Sequence, residues 1–136
     1  GVIVPGDVVV VRNVGPKGGP GMPEMVMLTV ELQGRGLGKD VALITDGRFS
    51  GVSHGILIGH ICPEAADGGP LAAVEDGDTI VIDPVNRTLN VAIKDSELQQ
   101  RMATIGPTDL PNTIPQGSVL RRYAQHVSSA HYGCVQ

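Results

Sequence analysis

The chain has 136 residues, enough for one domain with a buried core, and its net charge is −4 at pH 7 with Lys and Arg dispersed along the sequence. That charge pattern argues against nucleic-acid binding, and no apolar stretch reaches the roughly 18 residues that a membrane span needs. The two cysteines have no ligand-like spacing, so neither a metal cluster nor a disulfide framework is predicted, and we expect a soluble intracellular protein.

The first predicted elements are a strand, a rigid loop and a helix. Residues 7–12 contain four consecutive valines after a Pro-Gly turn signal, which predicts a strand buried on both faces. Residues 15–23 are almost all glycine and proline, which predicts a shaped loop that exposes backbone N–H groups and can cradle an anion. Residues 24–33 predict a helix that begins after Pro23, with Glu24 in its first turn.

Two apolar strands are predicted next. Residues 40–45 predict a second strand, and residues 55–61 predict a third. Between them a glycine-flanked turn presents Ser50 directly after a buried strand, where sheets commonly expose a side chain to a cleft. His54 and His60 lack the spacing of a zinc site, so we expect them to be core residues or to line the cleft.

The second half predicts a hairpin followed by two helices. Residues 79–83 and 88–93 flank a turn and predict two antiparallel strands. A capping-box pattern predicts a short helix over residues 96–103. Residues 118–130 have the spacing of an amphipathic helix.

These elements indicate a single domain over residues 1–136. Many strands with a few helices predict a mainly β fold with flanking helices, arranged as a barrel, over residues 1–103. Residues 104–117 are Pro-rich and predict a connector. Residues 118–136 then form a C-terminal helix and tail.

Two residues are candidates for chemistry, and each also has a structural explanation. Glu24 is either a carboxylate that interacts favourably with a helix N-terminus or an oxygen ligand for Mg²⁺, and its spacing does not choose between them. Ser50 is either an ordinary turn serine or a reactive hydroxyl. A free hydroxyl is a poor base, so the second role needs a metal or a cation such as Arg48 nearby.

Long motifs along most of the chain resemble one enzyme family. They are GPKGGPGMPEM at 15–25, GRGLG at 34–38 and TDGRFSG at 45–51, followed by shorter matches at 53–55, 59–60, 63–66, 68–70, 74–78, 86–89 and 129–135. In this order they resemble the C-terminal region of dihydroxy-acid dehydratases, which are related to 6-phosphogluconate and sugar-acid dehydratases. The GRFS form of the turn is more similar to the branched-chain enzymes.

The resemblance implies removal of water from a 2,3-dihydroxy-3-methyl carboxylic acid to give a 2-keto acid in valine and isoleucine biosynthesis. It implies a swivelling β/β/α barrel that closes over an N-terminal domain of the same chain, which holds an iron–sulfur cluster (2Fe–2S or 4Fe–4S) and most ligands of a Mg²⁺. Ser50 is then the base that takes the C2 proton, and Glu24 is one Mg²⁺ ligand. The intact enzyme is expected to be a homodimer in the cytoplasm of a bacterium, or in the mitochondrion or plastid of a eukaryote.

Residues near Glu24 and Ser50 in the sequence complete the expected site. The residues that we expect to bind substrate or to shape the cleft are Lys17, Gly18, Gly19, Arg48, Gly51 and Ser53. Val52 departs from the family pattern, which has a second glycine after the serine, and we expect it to stiffen or crowd the turn.

Two alternatives stay open. One is a sugar-acid or 6-phosphogluconate dehydratase of the same superfamily, and the other is a non-catalytic barrel for binding or assembly, suggested by the missing cluster cysteines. Compared with the family, the chain begins partway through the C-terminal domain. We therefore expect a fragment that lacks barrel strands at its N-terminal side and is inactive alone.

Overall fold

The computed structural model describes residues 2–106 and 114–136. Within these residues the chain forms strands, helices and short 3-10 turns in a mixed order. The strands are β1 (Val8–Val11), β2 (Ala42–Thr45), β3 (Ile56–Ile58), β4 (Ile80–Asp83) and β5 (Thr88–Val91). The helices are α1 (Val26–Gly34), α2 (Asp95–Thr104) and α3 (Val119–His126), and the 3-10 turns are Ala65–Asp67, Pro70–Ala73 and Ala130–Tyr132.

The first three strands form a parallel sheet in the order β1-β2-β3. Its register pairs Val10 with Ile44, and Ile44 with Ile58. Helix α1 lies between β1 and β2 in sequence, as parallel pairing of neighbouring strands requires a crossover. The central strand β2 is fully buried, whereas β1 is half-buried because it has a strand neighbour on one side only.

The hydrophobic core covers both faces of this sheet, because successive side chains of a strand point to opposite sides. Leu43 belongs to the first face and packs with Leu32 of α1. Ile44 belongs to the second face and packs with Leu71 of a 3-10 turn and with Ile80 of β4. The sheet is therefore sandwiched between α1 and the segment that contains the 3-10 turn Pro70–Ala73 and β4.

Strands β4 and β5 form a separate antiparallel hairpin, as predicted. Helix α2 is attached near it by Arg101, whose guanidinium donates to both carboxylate oxygens of Asp78, at 2.6 and 3.2 Å, and to Glu97 at 2.7 Å. These contacts raise the pKa of Arg101, while the hydrogen bonds from Arg101 lower the pKa of Asp78. The ion pairs therefore fix α2 to the segment before the hairpin.

The predicted barrel is not confirmed. In residues 2–106 and 114–136 the strands make two separate small sheets, and no closed barrel is present. The mainly β class is also only partly right, because the larger sheet is parallel and packs against a helix, as in small α/β domains. The prediction gave the right number of strands and the β4–β5 hairpin, but it did not give the parallel pairing of β1, β2 and β3.

Two predicted helix starts were wrong. Helix α1 begins at Val26, so Glu24 lies outside its first turn, and Met25 caps it without a side-chain hydrogen bond. Helix α2 begins at Asp95 with Lys94 at its N-cap, so Ser96 is not the capping residue. Ser118 does cap α3, but that helix ends at His126. Residues 107–113 of the predicted connector lie outside the described residues.

The C-terminal tail returns to the region that follows β1. Sγ of Cys134 lies 3.9 Å from Sδ of Met22, and burial raises the pKa of the Cys134 thiol. Cys62 is exposed and Cys134 is half-buried, and both are free. Over the part of the chain that the structure describes, no helix has the length and apolar character to cross a membrane.

Candidate functional site

The loops that follow the three parallel strands leave from the same edge of the sheet. Residues 12–25 follow β1, residues 46–55 follow β2, and residues 59–64 follow β3. In open parallel sheets ligands commonly bind beside the carboxyl ends of the strands. This edge carries both predicted site residues, Glu24 and Ser50.

Glu24 and Ser50 are 26 positions apart in sequence but adjacent in the fold. The backbone N–H of Ser50 donates to Oε1 of Glu24 at 3.2 Å. Glu24 also forms an isolated parallel bridge with Arg48, which aligns the two loops and explains why the helix starts later than predicted. Glu24 is half-buried, and its other oxygen, Oε2, accepts no hydrogen bond from the described residues. One carboxylate oxygen is therefore available to a ligand.

The hydroxyl groups of Ser50 and Ser53 share an unusual environment. Both Oγ atoms are buried and have no hydrogen-bond partner among residues 2–106 and 114–136. The backbone N–H of Ser53 donates to the carbonyl of Ser50 at 3.2 Å, which closes a tight turn. Buried polar atoms are nearly always bonded, so these two hydroxyls, like Oδ1 of Asn13, are exceptions among the described residues.

Arg48 does not contact the Ser50 hydroxyl. Its Nε donates to the carbonyl of Met22 at 2.6 Å, and the residue is exposed. Gly51 and Val52 are exposed as well, with Val52 at 69%. The Val52 side chain therefore points away from the interior of the turn.

The glycine- and proline-rich loop of residues 15–23 binds a carboxylate of the same chain, that of Glu64. The backbone N–H groups of Lys17 and Gly18 donate to the Glu64 carboxylate at 2.9 to 3.1 Å, and the N–H of Gly19 donates to the carbonyl of Gly15 at 2.8 Å. Nζ of Lys17 is paired with Asp67 at 2.6 Å. The predicted exposure of these N–H groups was wrong, because internal acceptors already bind them.

Asp46 is a second buried carboxylate in the same region, and it is 0% exposed. It follows β2 directly, and its oxygens accept from the N–H groups of Asn13 and Val14 at 3.0 Å each and of Ala65 at 2.9 Å. One side chain thus connects the loop after β1, the end of β2 and the turn after β3.

Glu64 is 2% exposed and lies close to Asp46. Desolvation raises its pKa, the hydrogen bonds from Gly18 and Lys17 oppose this, and the charges of Asp46 and Asp67 raise the pKa further. Gly15 passes so near that an added Cβ would lie 2.6 Å from Oε2 of Glu64. Only glycine fits at that point of the loop.

Asp46 and Glu64 were missed as site residues by the sequence analysis. An Asp immediately after an apolar strand resembles an ordinary turn residue, and Glu64 was noted only within a longer motif. The signal that was available is the pairing of an acidic residue with a loop rich in free N–H donors, since such a loop needs an anion.

The described residues can supply part of a metal site but not a whole one. No group of three or more His, Cys, Asp or Glu side chains that could hold a metal ion occurs in residues 2–106 and 114–136. Glu24 offers one carboxylate oxygen that accepts no hydrogen bond from the described residues. His54 and His60 are exposed, so they are not core residues, and the alternative that they line the cleft stays a prediction.

Comparisons with known proteins agree in pointing to one family. Residues 1–134 match the family described as dihydroxy-acid/6-phosphogluconate dehydratase C-terminal. The chain is 54% identical over 135 residues to a dihydroxy-acid dehydratase of Flavobacterium psychrophilum, and 51% identical to one of Francisella tularensis subsp. novicida. It is also 54% identical to a dihydroxy-acid dehydratase of Aeropyrum pernix. Each match covers 99% of this chain but 24% of the relative, so the chain spans about a quarter of their length.

Proposed function

Because this chain belongs to the dihydroxy-acid/6-phosphogluconate dehydratase C-terminal family, we propose that it forms one wall of the active site of a dihydroxy-acid dehydratase. In this proposal the full-length protein removes water from a 2,3-dihydroxy-3-methyl carboxylic acid and releases a 2-keto acid. The product class places the reaction in branched-chain amino acid biosynthesis. Ser50 is the base, and Glu24 is a ligand for Mg²⁺.

The main support is the contact between Glu24 and Ser50. A carboxylate with one free oxygen lies against the turn that holds a buried, unsatisfied hydroxyl, at the carboxyl edge of a parallel sheet. A ligand held at Glu24 would therefore lie within reach of Ser50. Buried hydroxyls usually have a hydrogen-bond partner, so the Ser50 hydroxyl, which has none among the described residues, supports a role beyond the fold.

The proposed reaction begins at C2 of the substrate. Ser50 Oγ, as alkoxide, takes the C2 proton, the C2–H electron pair forms the C2–C3 double bond, and the C3 hydroxyl leaves and is protonated to water. The resulting enol takes up a proton at C3 and loses the proton of its C2 hydroxyl to give the 2-keto acid, while Ser50 releases to solvent the proton that it took from C2. Ser53, whose hydroxyl is also unsatisfied, would donate to a substrate oxygen beside the reacting carbon.

The chain's residues fit one corner of a Mg²⁺ site, because Mg²⁺ takes carboxylate oxygens and keeps other positions for water or substrate. When bound, Mg²⁺ would stabilise negative charge on the substrate carboxylate and C2 hydroxyl, and an iron–sulfur cluster would supply a Lewis acid for the C3 hydroxyl. Glu24 would hold the metal through its free oxygen. Among the described residues no cysteine set fits the cluster, so we propose that another domain of the full-length protein binds it.

The remaining parts of the loops would shape the cleft. The loop of Lys17, Gly18 and Gly19 forms its wall through the backbone, since its N–H groups are already bonded. Arg48 and Gly51 lie on the exposed side of the turn, where a substrate carboxylate or a second domain can reach them. We further propose that strands outside this chain complete a swivelling barrel and that the intact enzyme is a homodimer.

The substrate class rests on the names of the relatives. All three proteins above are dihydroxy-acid dehydratases, whereas the family description also includes 6-phosphogluconate dehydratases. Turnover of 2,3-dihydroxyisovalerate by the full-length protein, compared with turnover of aldonic acids, separates these alternatives. Turnover of aldonic acids alone would contradict the proposed substrate.

Substitution of the two site residues tests the mechanism. In the full-length enzyme Ser50→Ala should lower kcat by at least about 10²-fold, the usual contribution of a general base, with an unchanged cluster absorption spectrum. Glu24→Gln should raise the Mg²⁺ concentration needed for half-maximal activity. Ser96→Ala, at an exposed position of α2, is the matched control and should behave as wild type. Wild-type turnover by Ser50→Ala would remove this serine from the role of base.

A further inference from the structure

We infer that Asp46 and Glu64 are positioning residues that clamp the loop after β1 and thereby hold Glu24 against Ser50. This inference rests on the proposed function, and it concerns two residues that touch neither substrate nor metal. They act through the backbone of the loop that carries Glu24 and through the turn that carries Ser50.

The two carboxylates of the clamp accept hydrogen bonds from five backbone N–H groups, which belong to two segments of the chain. Asp46 binds Asn13, Val14 and Ala65, and Glu64 binds Lys17 and Gly18. All these donor–acceptor distances lie between 2.9 and 3.1 Å. Hydrogen bonds to charged acceptors are about twice as strong as neutral ones, so this is a stiff connection.

The clamp is connected to both site residues at short range. Asp46 begins the turn that contains Ser50, and the clamped loop continues through Met22 to Glu24. Met22 is a buried non-glycine residue with φ of 43°, and its carbonyl accepts from Arg48 at 2.6 Å. The loop after β1 and the turn after β2 are therefore joined at two places, at Asp46 and at the contact between Glu24 and Ser50.

The buried charges of Asp46 and Glu64 support a role beyond stabilising the fold. Two carboxylates are buried close together, and neither has an ion-pair partner in the part of the chain described. Burying an ion without a counter-charge is unfavourable, and neutral side chains could fill the same volume. In this inference the two carboxylates hold the geometry of the site, where a misplacement of about 1 Å can cost about 10²-fold in rate.

The test uses Glu64→Gln in the full-length enzyme. The amide keeps the length of the side chain and one acceptor oxygen, but its NH₂ group faces the N–H of Lys17 or Gly18 and loosens the loop. We expect kcat to fall about tenfold or more and the Mg²⁺ concentration for half-maximal activity to rise, at a temperature where the variant is folded by circular dichroism. Glu31→Gln removes the same charge from an exposed position and should leave both values unchanged.

A merely structural role would lower the melting temperature without changing the Mg²⁺ dependence of the folded enzyme. A folded Glu64→Gln enzyme with wild-type kcat and Mg²⁺ dependence therefore overturns the inference. It would leave the proposed reaction untouched, since that is tested separately by Ser50→Ala. If Glu64→Gln does not fold, hydrogen exchange in the wild-type enzyme decides the question. The amides of Lys17 and Gly18 must then exchange at least about 10²-fold more slowly than unprotected amides, and fast exchange refutes the clamp.

Discussion

Glu64 gives the sharpest prediction at the scale of single residues. Its carboxylate is faced by the carboxylates of Asp46 and Asp67 and by the thiol of Cys134, with Lys17 paired to Asp67. Its pKa in the folded state is raised above the ordinary value of 4.5, mainly by desolvation. A raised carboxyl pKa means that the folded state binds the proton more tightly than the unfolded state does.

The difference in the free energy of unfolding between wild type and Glu64→Gln should therefore depend on pH. The contribution of Glu64 is fully present below pH 4.5 and is lost as the pH rises through the raised pKa. Wild type should thus lose stability relative to Glu64→Gln as the pH increases above this point. Urea unfolding of both proteins at a series of pH values, followed by circular dichroism, measures the difference. A constant difference across the series would show that the pKa of Glu64 is not raised.

The sequence predicted Glu24 and Ser50 as site residues but did not predict the residues that support them. Glu24 and Ser50 were proposed from long motifs, and the fold brings them into contact. The role of Asp46 and Glu64 was not predicted because their partners are backbone N–H groups, and every residue type except proline has one. A buried carboxylate bound by the main chain becomes visible only when the path of the loop is known.

At the scale of elements, the loop after β1 depends on the close approach of Gly15 to Glu64. Gly15→Ala would place a Cβ 2.6 Å from Oε2 and 2.8 Å from Cδ of Glu64, so the carboxylate must move away from Lys17 and Gly18. We expect a destabilisation of about 1–3 kcal/mol, typical of overpacking, in urea unfolding.

Gly34→Ala is the matched control for that substitution. Gly34 is the last residue of α1, and an added Cβ there meets nothing within 4 Å. The change should alter the free energy of unfolding by no more than about 0.5 kcal/mol. Equal effects of the two substitutions would contradict the role assigned to the contact between Gly15 and Glu64.

The strands were predicted well because their aliphatic runs are local signals. All five predicted strands exist with shorter limits, and β3 is shortened most, to Ile56–Ile58 from the predicted residues 55–61. The starts of α1 and α2 were wrong for local reasons that the pattern does not contain. The bridge between Glu24 and Arg48 keeps Glu24 extended, and Lys94 caps α2 through its backbone alone.

At the scale of the whole molecule, strand pairing decides where the site lies. Parallel pairing of β1, β2 and β3 brings three loops to one edge, and neither composition nor periodicity shows which strands pair or in which direction. The sequence predicted a barrel because it contains many strands, but the described strands form two separate sheets. The parallel pairing of β1, β2 and β3 depends on contacts across intervening loops and a helix, which local patterns do not show, whereas the β4–β5 hairpin was predicted from its turn.

For the molecule as a whole we also predict that the 136-residue chain alone is insufficient for the reaction. Glu24 is one carboxylate, and no cluster of three metal-binding side chains occurs in residues 2–106 and 114–136. Mg²⁺ needs about six oxygen ligands, so the isolated chain should bind it weakly and show no dehydratase activity. Titration calorimetry with Mg²⁺, using Glu24→Gln as the control, measures this affinity. Tight one-to-one binding that disappears in Glu24→Gln would mean that the chain builds a complete metal site by itself.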